Sequence, residues 1–236
     1  MKNPVKLSFL LILLASALHA QDNRFKLGLR FAPGISQTRV QDLNDQDNAV
    51  FSAGSASLRF SAGLSGDFFF GRNYAFYSGL WYSVNNARLK AAFDSAGKSG
   101  SAESAVNIQT VQIPAALKLF TNEIATDARI YFLVGGTATL AIKKVDSEPF
   151  SAVGENRFSR NLARDAYSLG DVGLLLGAGV EYRLGDATTL FGGLTYNRGL
   201  SDMASKSGPI SYRGKQAREL YDISLGLICL EMGIYF

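Results

Sequence analysis

From residue 25 to the end of the chain, apolar and polar side chains alternate with a period of two, and no 3.6-residue apolar repeat of any length appears. Eight segments carry the alternation and are predicted as strands. Residues 25–36 set Phe25, Leu27, Leu29 and Phe31 against Lys26, Gly28 and Arg30. Residues 57–70 set Leu58, Phe60, Ala62, Leu64 and Phe68 against Arg59, Ser61, Ser65 and Asp67. Residues 74–87 carry aromatics on both faces, so their parity stays open. In residues 106–120, Val111, Ile113, Ala115, Leu117 and Leu119 oppose Thr110, Gln112, Pro114 and Lys118. Residues 128–144 place Ile130, Phe132, Val134, Ala138, Leu140 and Ile142 on one face. Residues 169–184 oppose Val172, Leu174, Leu176, Val180 and Tyr182 to Asp171, Glu181 and Arg183. Residues 188–199 form the seventh strand. Residues 221–236 end with Ile228, Leu230, Met232, Ile234 and Phe236 against Glu231 and Gly233.

The connections alternate in length. Short ones occupy residues 71–73, 121–127 and 185–187; long ones, rich in Ser, Asp, Asn, Gly, Lys and Arg, occupy 37–56, 88–105, 145–168 and 200–220. An even strand count with alternating short turns and long loops is the layout of an outer-membrane barrel, short turns toward the periplasm and long loops outside. A spanning sheet must close, because an open edge in hydrocarbon leaves backbone groups unpaired. Each segment reaches the roughly 9–11 residues needed to cross, and the longer ones are expected to project beyond the membrane on the outer side. The fold class expected is therefore all-β, an eight-stranded antiparallel up-and-down transmembrane barrel. A soluble barrel with its apolar face turned inward is the competing arrangement.

Aromatics gather beside the short turns (Phe68, Phe69, Phe70, Tyr74, Phe76, Phe120, Tyr131, Phe132, Tyr182, Tyr235), where an interfacial girdle is expected. Glycines inside the strands, among them Gly63, Gly79, Gly135, Gly177, Gly179 and Gly193, suit a small, tightly curved barrel.

Residues 1–20 read as a secretory signal. Lys2 and Lys6 precede an apolar stretch over residues 7–17 that is too short to span a bilayer, and Ala20 sits before the expected cut. Residues 21–236 would then be the barrel domain. Taking Lys2 and Lys6 from 24 basic residues leaves 22 against 20 acidic, a net +2. With so small an excess and no basic run, nucleic acid is not an expected partner. The one histidine, His19, leaves with the signal, which excludes a Ser-His-Asp triad and a His-ligated metal from the remainder. The one cysteine, Cys229, excludes a disulfide framework and reads as a small apolar filler among Leu227, Ile228 and Leu230. No catalytic, cofactor-binding or metal site is expected.

The charges of the polar face (Lys26, Arg30, Arg59, Asp67, Lys118, Asp171, Glu181, Arg183 and Glu231) are expected inside. Eight strands enclose a space that side chains just fill. Mixed charge there must pair, so a buried ion-pair network is expected rather than a wide channel. The run 42–48 (DLNDQDN) offers oxygen donors for Ca²⁺ but lacks the Gly and the distant Glu of an EF-hand loop. Arg157, Arg160 and Arg164, and Lys206, Arg213, Lys215 and Arg218, could meet phosphates; interspersed Glu148, Glu155, Asp165 and Glu219 make a mixed hydrophilic surface the simpler reading. Trp81 fits an aromatic contact within the third strand.

Five stretches taken in order carry a family likeness: VQIPAALKLF (111–120), YFLVGGTATL (131–140), DVGLLLGAGVEYRLG (171–185), TYNRGLSD (195–202) and the terminal Phe236. Together they resemble the PorT-like outer-membrane β-barrel family of the Bacteroidota, over nearly all of residues 21–236. The resemblance implies insertion by the barrel-assembly machinery, with the terminal alternation ending in Phe236 as its recognition signal. It also implies a link, through PorT itself, to type IX secretion and gliding, and it brings no catalytic motif. The expected function is a non-enzymatic envelope anchor whose outer loops engage a partner. A narrow pore or transporter is the alternative.

Overall fold

In hydrocarbon no water satisfies a strand's N–H and C=O groups, so every spanning strand needs a partner on both edges. The computed structural model meets that condition. It describes residues 24–42, 49–53, 56–95, 98–148, 170–185, 187–201, 211–212, 215–216 and 221–236. The barrel strands are β1 (Phe25–Asp42), β2 (Ser57–Gly71), β3 (Tyr74–Ser95), β4 (Lys98–Phe120), β5 (Ala128–Glu148), β6 (Gly170–Arg183), β7 (Thr189–Gly199) and β8 (Tyr221–Tyr235). Each pairs antiparallel with its sequence neighbours, and β8 returns to β1 (Gly28 opposite Tyr235, Arg30 opposite Gly233), so the sheet closes.

The apolar face is outside. Leu29, Phe31, Ile35, Leu58, Phe60, Leu64, Leu80, Ile113, Val134, Leu176, Leu194, Ile228 and Leu230 are exposed, while Arg30, Arg59, Asp67, Lys118, Glu181 and Glu231 are buried. Exposing one such side chain to water forfeits roughly 1.5–3 kcal/mol. Only lipid makes this arrangement favourable, and the inward-apolar soluble barrel is excluded. The open parity of the third strand is resolved too. Ala75, Tyr77, Trp81, Ser83 and Asn85 point in; Tyr74, Phe76, Leu80 and Tyr82 point out.

Two expectations are corrected. The link at 88–105 is not a loop. β3 and β4 stay in one register from Tyr74 opposite Leu119 to Ser95 opposite Lys98, so the hairpin continues past the membrane belt. Its Ser, Gly and Lys content looked loop-like because a ladder surrounded by water needs no apolar face. In the same way β1 runs to Asp42 and β5 to Glu148. A short strand at Ala49–Ala53 pairs with Leu89–Phe93, and a small hairpin joins Ser211–Tyr212 to Lys215–Gln216. Second, the girdle divides by parity. Phe68, Phe70, Tyr74, Phe76, Phe132 and Tyr182 are exposed on the outside, but Phe120, Tyr131 and Tyr235 are buried in the lumen, with Phe69 packed against them. Cys229 is buried on the lumen face, as Leu225 and Leu227 are, while Ile228 and Leu230 lie on the opposite face.

Both strand prolines interrupt one ladder without shifting it. Between β3 and β4 the pairing lapses from Ser78 opposite Ala115 to Trp81 opposite Gln112, where Pro114 has no N–H to donate. The Ser78 hydroxyl donates to the Pro114 carbonyl instead, at 2.8 Å. Between β1 and β8 the lapse falls at Ala32 and Pro33. At the turn before β5, Asp127 takes φ 61°, a region that Asp tolerates better than most side chains.

Candidate functional site

The lumen holds the concentrated chemistry of the described residues. At the short-turn end, the Lys118 ammonium lies 2.7 Å from Asp67 Oδ2 and 2.7 Å from Glu181 Oε1, and it donates to Tyr235 Oη at 3.2 Å. Aromatic rings surround it, with centroids at 4.6 Å (Tyr131), 4.8 Å (Tyr235), 5.2 Å (Phe120), 5.5 Å (Tyr77) and 5.7 Å (Phe191). All five lie within cation–π reach. Four strands meet at this one nitrogen's contacts: β2 brings Asp67, β4 Lys118, β6 Glu181 and β8 Tyr235.

Glu181 anchors two more cations. Arg129 donates to Glu181 Oε2 at 2.8 Å through Nη2 and at 3.2 Å through Nε, and its guanidinium lies 3.7 Å from the Phe120 ring centre. Lys26 stands 3.9 Å from the same carboxylate and donates to Thr189 Oγ1 at 3.2 Å. One level further in, Arg30 Nε donates to Glu231 Oε2 at 2.9 Å, Nη1 donates to Ser61 Oγ at 2.9 Å, and the guanidinium lies 3.9 Å over Trp81. The Tyr131 hydroxyl donates to Glu231 Oε1 at 2.7 Å, reaching across from β5 to β8.

That reach depends on glycine. Gly179 on β6 and Gly193 on β7 are cross-strand partners, and a Cβ on either would collide both with the Tyr131 phenol and with the facing backbone, Ala178 O for Gly193 and Gly192 O for Gly179. Gly193→Val is therefore expected to strain the β6–β7 ladder at Ala178 as well as displace Tyr131 from Glu231 Oε1, and to lower stability at or above the upper end of the about 1–3 kcal/mol cost of overpacking, measured by urea unfolding in micelles. Gly192→Val is its control. There a Cβ meets nothing closer than Glu231 O at 3.7 Å, an ordinary contact.

Toward the long-loop end the lining turns from ionic to polar. Arg59 Nη2 donates to Ser83 Oγ (3.3 Å), Ser83 donates to Gln112 Oε1 (3.0 Å), and Gln112 Nε2 donates to Thr139 Oγ1 (3.4 Å). Trp81 Nε1 donates to Ser65 Oγ at 3.2 Å, and Trp81 makes the contact with Tyr77 expected within its own strand, centroids 6.0 Å apart.

Of the nine charges expected inside, Lys26, Arg30, Arg59, Asp67, Lys118, Glu181 and Glu231 line the lumen, all but Lys26 buried. Asp171 and Arg183 do not join them. Asp171 sits at the outer end of β6 and accepts from the Ser201 backbone N–H at 3.2 Å. Arg183 sits at the short-turn end, exposed, 3.9 Å from Asp127. Period two sets a side chain's face; distance from a strand's end decides whether that face is still lumen. Arg129 and the tyrosines were missed, although Arg129 and Tyr131 alternate with Ile130 and Phe132 and so declare themselves inward by parity. Residues 43–48, Arg157, Arg160, Arg164, Lys206, Arg213 and Arg218 lie outside the described residues, as do residues 1–23 with the expected signal.

A family model described as an outer membrane protein beta-barrel domain matches residues 19–205. No curated protein matches the chain in sequence. Among solved structures, the chain is similar to OprG of Pseudomonas aeruginosa, at 12% identity over 90% of this chain and 95% of that one, TM-score 0.47. It is similar to the Neisserial surface protein A, at 11% identity over 88% and 97%, TM-score 0.43. It is also similar to Ail of Yersinia pestis, solved with the heparin analogue sucrose octasulfate, at 16% identity over 89% and 99%, TM-score 0.32.

Proposed function

The chain belongs to the outer membrane protein beta-barrel domain family and lies in the outer membrane of a Gram-negative bacterium, and from that premise we propose that it is a non-enzymatic envelope component, an anchored barrel whose long loops engage a partner outside the cell. The observation that carries this reading is the filled lumen. Lys118, Asp67, Glu181, Arg129, Arg30 and Glu231 form ion pairs across the bore, and five rings close around the ammonium. A solute would have to break charge-assisted bonds in a low-dielectric space to pass. The work then falls to the outer crown. No histidine follows residue 19, which fits the absence of a catalytic role in this proposal.

The resemblance to PorT-like barrels extends the proposal to a place in type IX secretion or gliding. The partner at the time of insertion would be the barrel-assembly machinery, taking up the last strand by its exposed terminal Phe236. Crosslinking in intact cells followed by pull-down from outer membrane is expected to recover a stoichiometric partner, lost on trimming the 200–220 connection. A solitary monomer would overturn the reading.

A narrow pore is the second reading, favoured by Arg59, a lumen cation that no described carboxylate approaches within ion-pair distance. It requires discrete conductance steps in planar bilayers that change on Arg59→Met or Glu181→Gln. The anchor reading expects none at any voltage.

A further inference from the structure

The register of β1, β8 and β7 lines up their outward side chains in rows. Ile35 stands opposite Ile228, and Ile228 opposite Tyr196. Ile35 and Ile228 are exposed on the outer face, so this row meets lipid. The next row toward the long loops runs from Gln37 through Gly226 to Arg198, and beyond it Arg39 stands opposite Ser224. On β1 and β8 the outward face thus turns from apolar to polar between the first row and the second. That change marks the outer border of the hydrocarbon, the level at which a tyrosine such as Tyr196 is also enriched.

Two arginines flank one glycine at this border. Arg198 is the direct cross-strand partner of Gly226 and shares its outward face. Arg39 comes back over the same glycine from the other side, its Nε 3.8 Å from the place a Gly226 Cβ would take. Both arginines are exposed, whereas Gly226 is buried although it faces outward. Among the described residues no carboxylate lies within ion-pair distance of either guanidinium. Like charges on neighbouring strands repel, and an anion held between them turns the repulsion into attraction.

We propose that Arg39 and Arg198, astride Gly226, bind a phosphate monoester of an outer-leaflet glycolipid of the lipid A type. The site lies on the lipid side of the wall, at the headgroup level of the leaflet that the long loops face. Its glycine leaves a notch between two planar forks, each suited to phosphate oxygens. Charge selects the class of phosphate: a monoester carries about −1.5 to −2 near neutral pH and answers two guanidinium groups, whereas the diester of a phospholipid carries a single charge. Acyl chains descending from the bound headgroup would lie along Ile35, Ile228 and Tyr196. The proposal rests on the outer-membrane location and is independent of the partner proposed for the loops.

The test places the full chain in phosphatidylcholine nanodiscs doped with lipid A, and native mass spectrometry counts the lipids that stay on the released protein. The wild type is expected to keep one lipid A. Arg39→Gln and Arg198→Gln should each weaken retention about tenfold or more, the loss of a charge-assisted hydrogen bond. Gly226→Val keeps both arginines and should also lose the lipid by filling the notch, since the new Cβ itself meets only ordinary contacts at 3.8 Å. Arg72→Gln, in the turn between β2 and β3 at the opposite rim, should change nothing. Equal retention of lipid A stripped of its phosphates, or of phosphatidylglycerol, would overturn the proposal, as would undiminished retention when both arginines are replaced. Displacement of lipid A by inorganic phosphate alone would overturn the lipid as the source of the group. Folding of each variant is checked by the gel migration of unboiled against boiled protein. If Gly226→Val does not fold, the two arginine variants decide; if either of those does not, Arg→Lys at the same position, which keeps the charge but loses the fork, is expected to weaken retention several-fold.

Discussion

Lys118→Met is expected to lower the unfolding free energy of the barrel by about 3–5 kcal/mol, the usual cost of leaving a buried charge without its partner. The loss falls mainly on Asp67. Among the described residues Lys118 is the cation within ion-pair distance of that carboxylate, whose other oxygen, Oδ1, already lacks a partner. Glu181 is better protected, because Arg129 still donates twice to its Oε2. The two acids therefore give opposite forecasts for rescue. Adding Asp67→Asn to Lys118→Met should recover roughly half of the loss, since it removes the stranded charge. Adding Glu181→Gln should recover little and further weaken the hold on Arg129. Urea titration of the refolded variants, closed into a double-mutant cycle, measures both; equal rescue by the two amides would show that the charges do not divide as the distances indicate. Lys118→Arg is no conservative change here. A planar fork in place of a compact ammonium does not fit among rings centred 4.6–5.7 Å away.

Leu64→Arg is expected to cost about 2–4 kcal/mol in lipid vesicles, the penalty for a cation on the lipid face near the bilayer midplane. Leu64 is exposed and stands in register with Leu29 on one side and Leu80 on the other, and Leu29 continues to Ile234, an apolar stripe around the wall. The same substitution at exposed Glu123, in the turn between β4 and β5, should change stability by less than about 0.5 kcal/mol. The contrast tests which solvent meets the outer face. Were that face in water, Leu64→Arg would be nearly neutral.

Both forecasts rest on one geometric consequence of closure. Turning the apolar faces outward confines every inward polar side chain to a bore that eight strands make barely wide enough for side chains. Charges that a flat sheet would hold strands apart then converge: Lys118 on β4 reaches acids on β2 and β6 and a phenol on β8. The aromatic cluster of Tyr77, Trp81, Phe120, Tyr131, Phe191 and Tyr235 completes the packing at the short-turn end and has no counterpart among the outward rings, which meet lipid singly or in pairs such as Phe70 and Tyr74.

The alternation in residues 57–70 was enough, by itself, to separate Leu58, Phe60 and Leu64 from Arg59, Ser61 and Asp67, because successive strand side chains must point to opposite faces. Strand number and the short turns were legible for the same local reason. In residues 74–87 that rule was silent, since Tyr74, Phe76, Tyr77, Trp81 and Tyr82 put rings on both faces; only pairing with β2 and β4 decided that Tyr77 and Trp81 turn inward. Nor could local pattern tell that the 88–105 link continues the ladder, that Asp171 and Arg183 fall beyond the ends of the bore, or that Gly179 and Gly193 clear a place for Tyr131. Those depend on register between strands distant in the chain. A period of two assigns each residue a side; which residues share a level, and which charge is left without a partner, is settled only when the sheet closes.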